Sequence, residues 1–128
     1  MKSLEAIIKN FLIDYRLKQA EVSLVLIGDR LIRRLNRETR NKDKVTDVLS
    51  FRDSDSPVKD ASFLGEIFID YQQIKRQAKK YKNKVRQEFI FIMIHGLLHL
   101  VGYDDKTDRQ AEKMDELTKK FIAKHKLW

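Results

Sequence analysis

Two histidines and an aspartate in one short stretch are the clearest candidates for chemistry in this chain. His95 and His99 are four residues apart, and Gly102 separates them from Asp105. On a helix, side chains four apart share a face with Cβ atoms about 5–6 Å apart, so both rings can reach one metal ion at about 2.0–2.1 Å. Because glycine readily takes the left-handed conformation that ends helices, we expect the chain to turn at Gly102. Asp105 then supplies a third ligand, and the pattern predicts a metal site at His95, His99 and Asp105.

The element that carries the histidines is predicted to be a buried helix. Residues 89–94 read Phe-Ile-Phe-Ile-Met-Ile, and a helix without a polar member is buried on all sides. The apolar run through residue 101 contains both histidines and is too short to cross a bilayer. A single histidine on such a helix is usually a core residue with its nitrogens hydrogen-bonded. The paired spacing, the glycine and the carboxylate together favour a metal site over that alternative.

The spacing resembles that of the metzincin proteases, which read His-Glu-x-x-His-x-x-Gly-x-x-His. Gly96 stands where those proteases have their catalytic glutamate, and glycine can neither accept nor return a proton. Peptide hydrolysis at zinc uses that glutamate as general base. A protease-like hydrolase is therefore the least favoured interpretation of this site.

A longer match resembles the YbeY family of bacterial endoribonucleases and ribosomal-RNA maturation factors, whose signature reads His-Gly-x-Leu-His-Leu-x-Gly-Tyr-Asp-His. The chain matches it at His95, Gly96, Leu98, His99, Leu100, Gly102, Tyr103 and Asp104. Asp105 replaces the family's third metal-binding histidine. Carboxylate oxygen is an accepted zinc ligand, but it is harder than imidazole and shifts the preference toward Mn or Mg. The resemblance implies one Zn ion, with Mn, Ni or Mg as alternatives.

A second match to the family runs from Leu35-Asn36 through Arg40 to Thr46-Asp47-Val48-Leu49-Ser50-Phe51. The family's functional arginine falls on Arg40, which the resemblance therefore implies is catalytic. Taken alone, Arg40 offers a planar, permanently charged fork suited to phosphate. It could then stabilise charge on phosphoryl oxygens. The alternative is an exposed salt bridge with Glu38 or Asp43.

The fold class follows from the same resemblance, which covers roughly residues 20 to 118 and includes a weaker match at Leu64-Gly65-Glu66-Ile67. It implies an α+β fold, with a small mixed β-sheet, helices packed on it and a zincin-like metal helix. The 128 residues are 42% hydrophobic and show no repeat or linker. We therefore expect one domain over residues 1–128.

Hydrophobic spacing and capping residues predict the individual elements. We expect the first helix over residues 3–18, and the second from Asp29 as its cap to about residue 37, with Leu31 buried. Strands are predicted at 21–27, 45–51 and 64–70, helices at 71–81 and 86–101, a last helix opened by Thr107, and a loop at 53–60. Glu88 could orient a metal ligand, although pairing with an arginine or capping is the simpler role. His125 is expected at the surface.

Charge points to a polyanionic partner. The chain has 27 basic and 19 acidic residues, a net charge of +8, as expected for a nucleic-acid-binding protein. Seven basic residues fall within 30–44 and seven within 75–86; the alternative is two solvated helix faces. The chain has no cysteine, so disulfides and thiolate zinc sites are excluded. Charges among the first ten residues interrupt any signal-peptide core, and we expect a cytoplasmic location.

The resemblance implies a metal-dependent, single-strand-specific endoribonuclease that acts in ribosomal-RNA maturation, at the 16S 3′ end, and in ribosome quality control. With no general base at Gly96, water acidified by the ion is the expected nucleophile or base. The expected partners are ribosomal RNA and the small ribosomal subunit, with no membrane and a monomeric state. The principal alternative is a non-catalytic module that binds ribosomal RNA and uses the metal only structurally.

Overall fold

A computed structural model describes residues 1–53 and 62–128 of the chain. The described part contains α1 (Leu4–Asp14), β1 (Glu21–Ile27), α2 (Asp29–Arg40), β2 (Val48–Arg52), β3 (Phe63–Asp70), α3 (Tyr71–Lys80), α4 (Val85–Leu100) and α5 (Asp108–Lys124). The loop predicted at residues 53–60 lies, apart from Asp53, outside the described residues. Within these two ranges, no helix combines the length and the apolar composition that a membrane span requires.

The three strands form one mixed sheet with β3 in the centre. β1 runs parallel to β3, with Leu24 opposite Ile67, and β2 runs antiparallel to β3, with Ser50 opposite the same residue. Parallel neighbours need a crossover connection, which here includes α2 and β2. Helices pack on this sheet, so the α+β fold with a small mixed sheet is confirmed.

Helix α4 forms the centre of the core, as its apolar sequence predicts. Ile90, Met93, Ile94, Leu97 and Leu98 are at most 1% exposed, and the helix packs against the sheet on one side and α3 and α5 on others. A helix that is apolar all round is stable only when it is covered in this way. The histidines at its C-terminal end are therefore carried by the central buried helix of the fold.

Gly96 allows α4 to approach the sheet closely. A Cβ atom at this position would lie 3.1 Å from Cγ2 of Ile67 and 3.1 Å from Oγ of Ser50. The Ser50 hydroxyl also donates a hydrogen bond of 3.2 Å to the carbonyl oxygen of Gly96. The glycine thus sets the distance between the histidine helix and β2.

The turn predicted after α4 is present and depends on Gly102. This glycine has φ +110°, in the region that L side chains rarely adopt. Its N–H donates to the carbonyl of His99 at 3.1 Å, and the N–H of Tyr103 donates to the carbonyl of Leu98 at 3.0 Å. These two bonds form the Schellman motif that closes helix C-termini, and they reverse the chain ahead of Asp105.

Two helix boundaries differ from prediction. α1 ends at Asp14 because Arg16 is left-handed, with φ 59°, and the N–H of Leu17 bonds back to the carbonyl of Leu12. α2 continues to Arg40 and is closed by a left-handed Asn41 with φ 58°. Residue propensities do not show where the backbone adopts the left-handed conformation. The hydrophobic pattern therefore placed the ends of both helices wrongly.

Some predicted roles of single residues are wrong. Asp29 is the first residue of α2 rather than its cap, which is Gly28. Leu31 is 45% exposed because the buried face of α2 is centred on Ile32. The His125 side chain is only 14% exposed, and its Nε2 lies 2.8 Å from an oxygen of Asp14. This contact ties the end of α5 to α1, so His125 is a packed residue and not a surface residue.

Candidate metal centre

The last turn of α4 and the turn after it bring the three predicted ligands together. Nε2 of His95 lies 3.3 Å from Oδ2 of Asp105, and Nε2 of His99 lies 3.6 Å from the same oxygen. The three ligand atoms all lie within 4.8 Å of one another. Two ligands bonded at about 2.0–2.1 Å in a tetrahedron are separated by about 3.3 Å. The two distances to Oδ2 of Asp105 are close to this separation, so the donor atoms lie near the spacing that a single small ion requires.

The protonation state of His99 also suits a ligand. Its Nδ1 lies 2.9 Å from the carbonyl oxygen of Tyr103, which can only accept, so Nδ1 carries the proton. Nε2 then holds a lone pair facing Asp105, as is usual for metal-binding histidines. Burial and the neighbouring His95 ring lower the pKa of His99. The ring is therefore neutral at neutral pH, as metal ligation requires.

The ligands lie at the wall of a cleft of about 600 Å³. The C-terminal end of α2, the segment that follows it, β2 and the turn after α4 form its lining. The basic lining residues are Arg40, Lys42, Lys44, Arg52 and Lys106. The acidic ones are Asp47, Asp104 and Asp105. Basic side chains around a candidate cation site favour an anionic ligand such as a phosphodiester.

Arg40 lies in this cleft and is held against β2. One guanidinium nitrogen donates to the carbonyl of Ser50 at 2.8 Å, and the group lies 5.1 Å above the ring of Phe51. The alternative salt bridges with Glu38 and Asp43 are not formed, because both carboxylates bind other arginines of α2. A guanidinium has five N–H donors, so Arg40 retains donors for a ligand in the cleft.

The two basic clusters of the sequence have different positions. From residues 30–44, Arg40, Lys42 and Lys44 line the cleft. The cluster at 75–86 lies on α3, the turn after it and the first turn of α4, and contributes none of the described lining residues. In that cluster, Arg76 makes two bonds to Asp29, at 2.6 and 3.0 Å. Only the first cluster is placed to bind a ligand of the metal cleft.

Arg52 is a site residue that the sequence did not reveal. Its guanidinium donates to the carbonyls of His99 and Tyr103 and to a carboxylate oxygen of Asp104, at 2.5, 3.3 and 3.0 Å. An arginine at the end of a strand carries no signal of its own in a sequence. Its partners are 47 to 52 residues away along the chain, so only the tertiary fold identifies it.

Glu88 does not orient a metal ligand and does not pair with an arginine. It is 8% exposed and accepts hydrogen bonds from the side-chain amides of Gln77 at 3.0 Å and Asn83 at 3.4 Å. These contacts join α4 to α3 and the turn between them. Glu88 is therefore a buried structural carboxylate satisfied by neutral donors.

The protease alternative also fails on geometry. Position 96 faces the sheet, where a Cβ would already lie 3.1 Å from Ile67. A glutamate there would have to displace the core and would not enter the cleft. The chain thus has neither a general base at this position nor room to place one.

A small mixed sheet supports a two-histidine helix, a glycine turn and a carboxylate, which defines an α+β protein with a candidate metal site at the end of its central helix. The family model for Endoribonuclease YbeY matches residues 1–126, and the chain belongs to this family. The family and the fold expected from the sequence are thereby confirmed.

Individual relatives agree with this assignment. The chain is 42% identical to a protein named Endoribonuclease YbeY from Myxococcus xanthus, and the match covers 88% of this chain and 39% of that protein. It is 39% identical to a protein of the same name from Heliobacterium modesticaldum, and the match covers 86% of this chain and 72% of that protein. The match thus spans well under half of the first relative's length. The solution structure of TM1509 from Thermotoga maritima has a TM-score of 0.61 at 26% identity, covering 95% of this chain and 83% of that one.

Proposed function

We propose that this protein is a metal-dependent endoribonuclease that cleaves single-stranded RNA, with ribosomal RNA as its substrate class. The observation that carries the proposal is the convergence of His95, His99 and Asp105 within 4.8 Å at the wall of a basic cleft. Membership of a family whose relatives are named endoribonucleases supports RNA as the polyanion. Maturation of the 16S 3′ end and ribosome quality control are the proposed cellular roles.

His95, His99 and Asp105 would hold one zinc ion, with Mn, Ni or Mg as alternatives because one ligand is a carboxylate. Such an ion supplies Lewis acidity, which lowers the pKa of water and stabilises charge on phosphoryl oxygens. Asp105 brings a negative charge where the family has a neutral imidazole. We therefore expect water at this site to be less acidic than at a site with three histidines.

Arg40 would be the catalytic residue that contacts the phosphate. Its position in the cleft, fixed by Ser50 and Phe51, allows the free N–H groups to bind non-bridging phosphoryl oxygens. Donors placed in advance where charge develops contribute most to such reactions. Lys42 and Lys44 would bind neighbouring phosphates, which makes RNA binding weaker as salt rises.

The proposed setting of this activity comprises the domain, the oligomeric state, the location and the partner of the protein. We propose one domain over residues 1–128, a monomeric state, a cytoplasmic location, and the small ribosomal subunit as partner. The basic cleft supports a nucleic-acid partner, and the absence of cysteine is compatible with a reducing compartment.

The test combines metal content with RNA cleavage. We expect elemental analysis of the purified protein to find about one equivalent of metal, which His99→Ala and Asp105→Ala both lose together with cleavage. Arg40→Ala should keep the metal and lower the cleavage rate by about 10²–10³-fold. Arg34→Ala, which removes an α2 arginine paired with Glu38, is the matched control and should keep both properties.

Three results would contradict the proposal. Unchanged metal content and cleavage in Asp105→Ala would show that the ligand assignment is wrong. Full activity in Arg40→Ala would remove its catalytic role. A metal-loaded wild type that binds RNA without cleaving it would instead support the non-catalytic binding module.

A further inference from the structure

We propose that Arg52 is a positioning residue of the metal centre, which holds the turn that places Asp105. The inference rests on the proposed metal site and adds a residue outside its ligand set. Arg52 is the last residue of β2 and lines the same cleft as His95 and His99. Its side chain is 28% exposed, so much of it lies within the protein.

The contacts of Arg52 converge on the segment between the second and third ligands. Nε donates to the carbonyl of His99 at 2.5 Å, and Nη2 donates to the carbonyl of Tyr103 at 3.3 Å and to Oδ1 of Asp104 at 3.0 Å. The guanidinium therefore binds one ligand residue and the residue directly before another. A planar fork with several donors is suited to such a multiple contact.

The same contacts also connect Arg52 to the ring of His99. The carbonyl of Tyr103 accepts from both Nη2 of Arg52 and Nδ1 of His99. Fixing this carbonyl fixes the acceptor that sets the tautomer and the rotation of the His99 ring. Partners of this kind orient metal ligands and tune their affinity.

Asp105 lies between two anchored points of the chain. After it, the N–H of Lys106 donates to Oε1 of Gln110 at 3.0 Å. Before it, the Schellman bonds end at Tyr103, and Arg52 supplies the side-chain contact to Asp104. The Asp105 side chain is 44% exposed, and its contacts are with the two histidine rings. Without the ion pair between Arg52 and Asp104, the segment would sample other positions and the carboxylate would reach the ion less often.

A purely electrostatic role of Arg52 would change the metal affinity in the opposite direction to a positioning role, so the two roles can be told apart. Arg52 carries a positive charge near the cation site, so removing it should strengthen metal binding if charge alone mattered. Positioning predicts weaker binding in the same variant. The sign of the change in metal affinity therefore separates the two roles.

The experiment measures the affinity of purified variants for Zn²⁺ and Co²⁺ by chelator competition, together with the visible spectrum of the Co²⁺ form. We expect Arg52→Ala to weaken metal binding by about 10-fold or more and to alter the Co²⁺ bands, because the third ligand is displaced. Arg52→Lys should restore part of the affinity, since an ammonium can hold only some of the three acceptors. Arg30→Ala, at the far end of α2, is the control and should bind metal as the wild type does.

Asp104→Asn provides a second line of evidence if Arg52→Ala does not fold. It keeps the side-chain shape and an acceptor oxygen, and should weaken metal binding less than Arg52→Ala. Where Arg52→Ala does fold, the two effects should be less than additive in the double variant, because both act through the same contact.

Unchanged or tighter metal binding in Arg52→Ala would overturn the positioning role. So would an unaltered Co²⁺ spectrum at full loading. These outcomes differ from failure of the proposed function, in which the wild type itself would bind no metal.

Discussion

Replacing Asp70 by asparagine should stabilise the protein near neutral pH. Asp70 is fully buried; one oxygen accepts from the N–H of Gln72 at 3.1 Å and caps α3. The other has no hydrogen-bond donor within the described residues, and the nearest cation, Arg76, lies 4.0 Å away. Burial, followed by the neighbouring Asp29 carboxylate, raises the pKa of Asp70 to about 6.

The direction and the size of this pH dependence follow from the linkage between proton binding and folding. Between the ordinary value of 3.8 and about 6, the folded state binds more protons than the unfolded state, so stability falls as the pH rises. At about 1.4 kcal/mol per pKa unit, and with the unfolded carboxyl already half ionised near pH 4, the free energy of unfolding loses about 2 kcal/mol from pH 4 to pH 7. The Arg76 pair lowers the pKa of Asp29 to about 2, so Asp29 adds a dependence of opposite sign only below pH 4.

Urea denaturation of the wild type and Asp70→Asn, from pH 4.5 to 7.5, tests this reasoning. Asparagine keeps the volume and the cap acceptor and supplies an N–H₂ donor in place of the acidic proton. The variant should match the wild type at low pH and become more stable by about 1–3 kcal/mol at pH 7. A difference that is the same at every pH, or a variant less stable at pH 7, would refute the assigned protonation.

Three further predictions concern the frame of the site. Gly65→Ala should destabilise the fold by about 2–5 kcal/mol in urea denaturation. The reason is that φ of Gly65 is +150° and a Cβ atom would lie 2.3 Å from the carbonyl oxygen of Phe51. A loss of stability under about 1 kcal/mol would contradict this. Thr107→Ala should cost about 1 kcal/mol by removing the capping box with Gln110, unlike the conservative Thr107→Ser. Asp105→His should raise the ratio of zinc to manganese affinity, and an unchanged ratio in metal competition would argue against residue 105 as a ligand.

The individual helices and strands were largely predictable because their patterns are local, whereas the fold class came from the family resemblance. The apolar run before His95 predicted the buried helix, and β1 was placed at its observed bounds, Glu21–Ile27. The strand pattern also placed β3 within one residue of its observed start at Phe63. The second strand was predicted to begin at residue 45, but β2 is Val48–Arg52. Other errors occurred where a left-handed residue ends a helix, as at Arg16 and Asn41, since non-glycine residues carry only a weak signal for that conformation.

The candidate ligands could be found for the same reason. His95, His99 and Asp105 lie within eleven consecutive residues, so helix periodicity and one glycine turn suffice to bring them together. The choice between a cleft position and a salt bridge for Arg40 could not be made in this way. It depended on whether Glu38 and Asp43 bind other arginines, and several arginines compete for them on α2.

By itself the sequence determined the buried helix, the two histidines on one face and the turn that follows them, because each depends on residues a few positions apart. Only the tertiary structure decided that Arg40 reaches the same cleft, that Arg52 holds the segment before Asp105, and that Glu88 is satisfied by amides. Those contacts join residues far apart in the chain, and their partners are selected by how β2 and α3 pack against α4. Long-range packing, unlike helical spacing, leaves no periodic mark on the sequence.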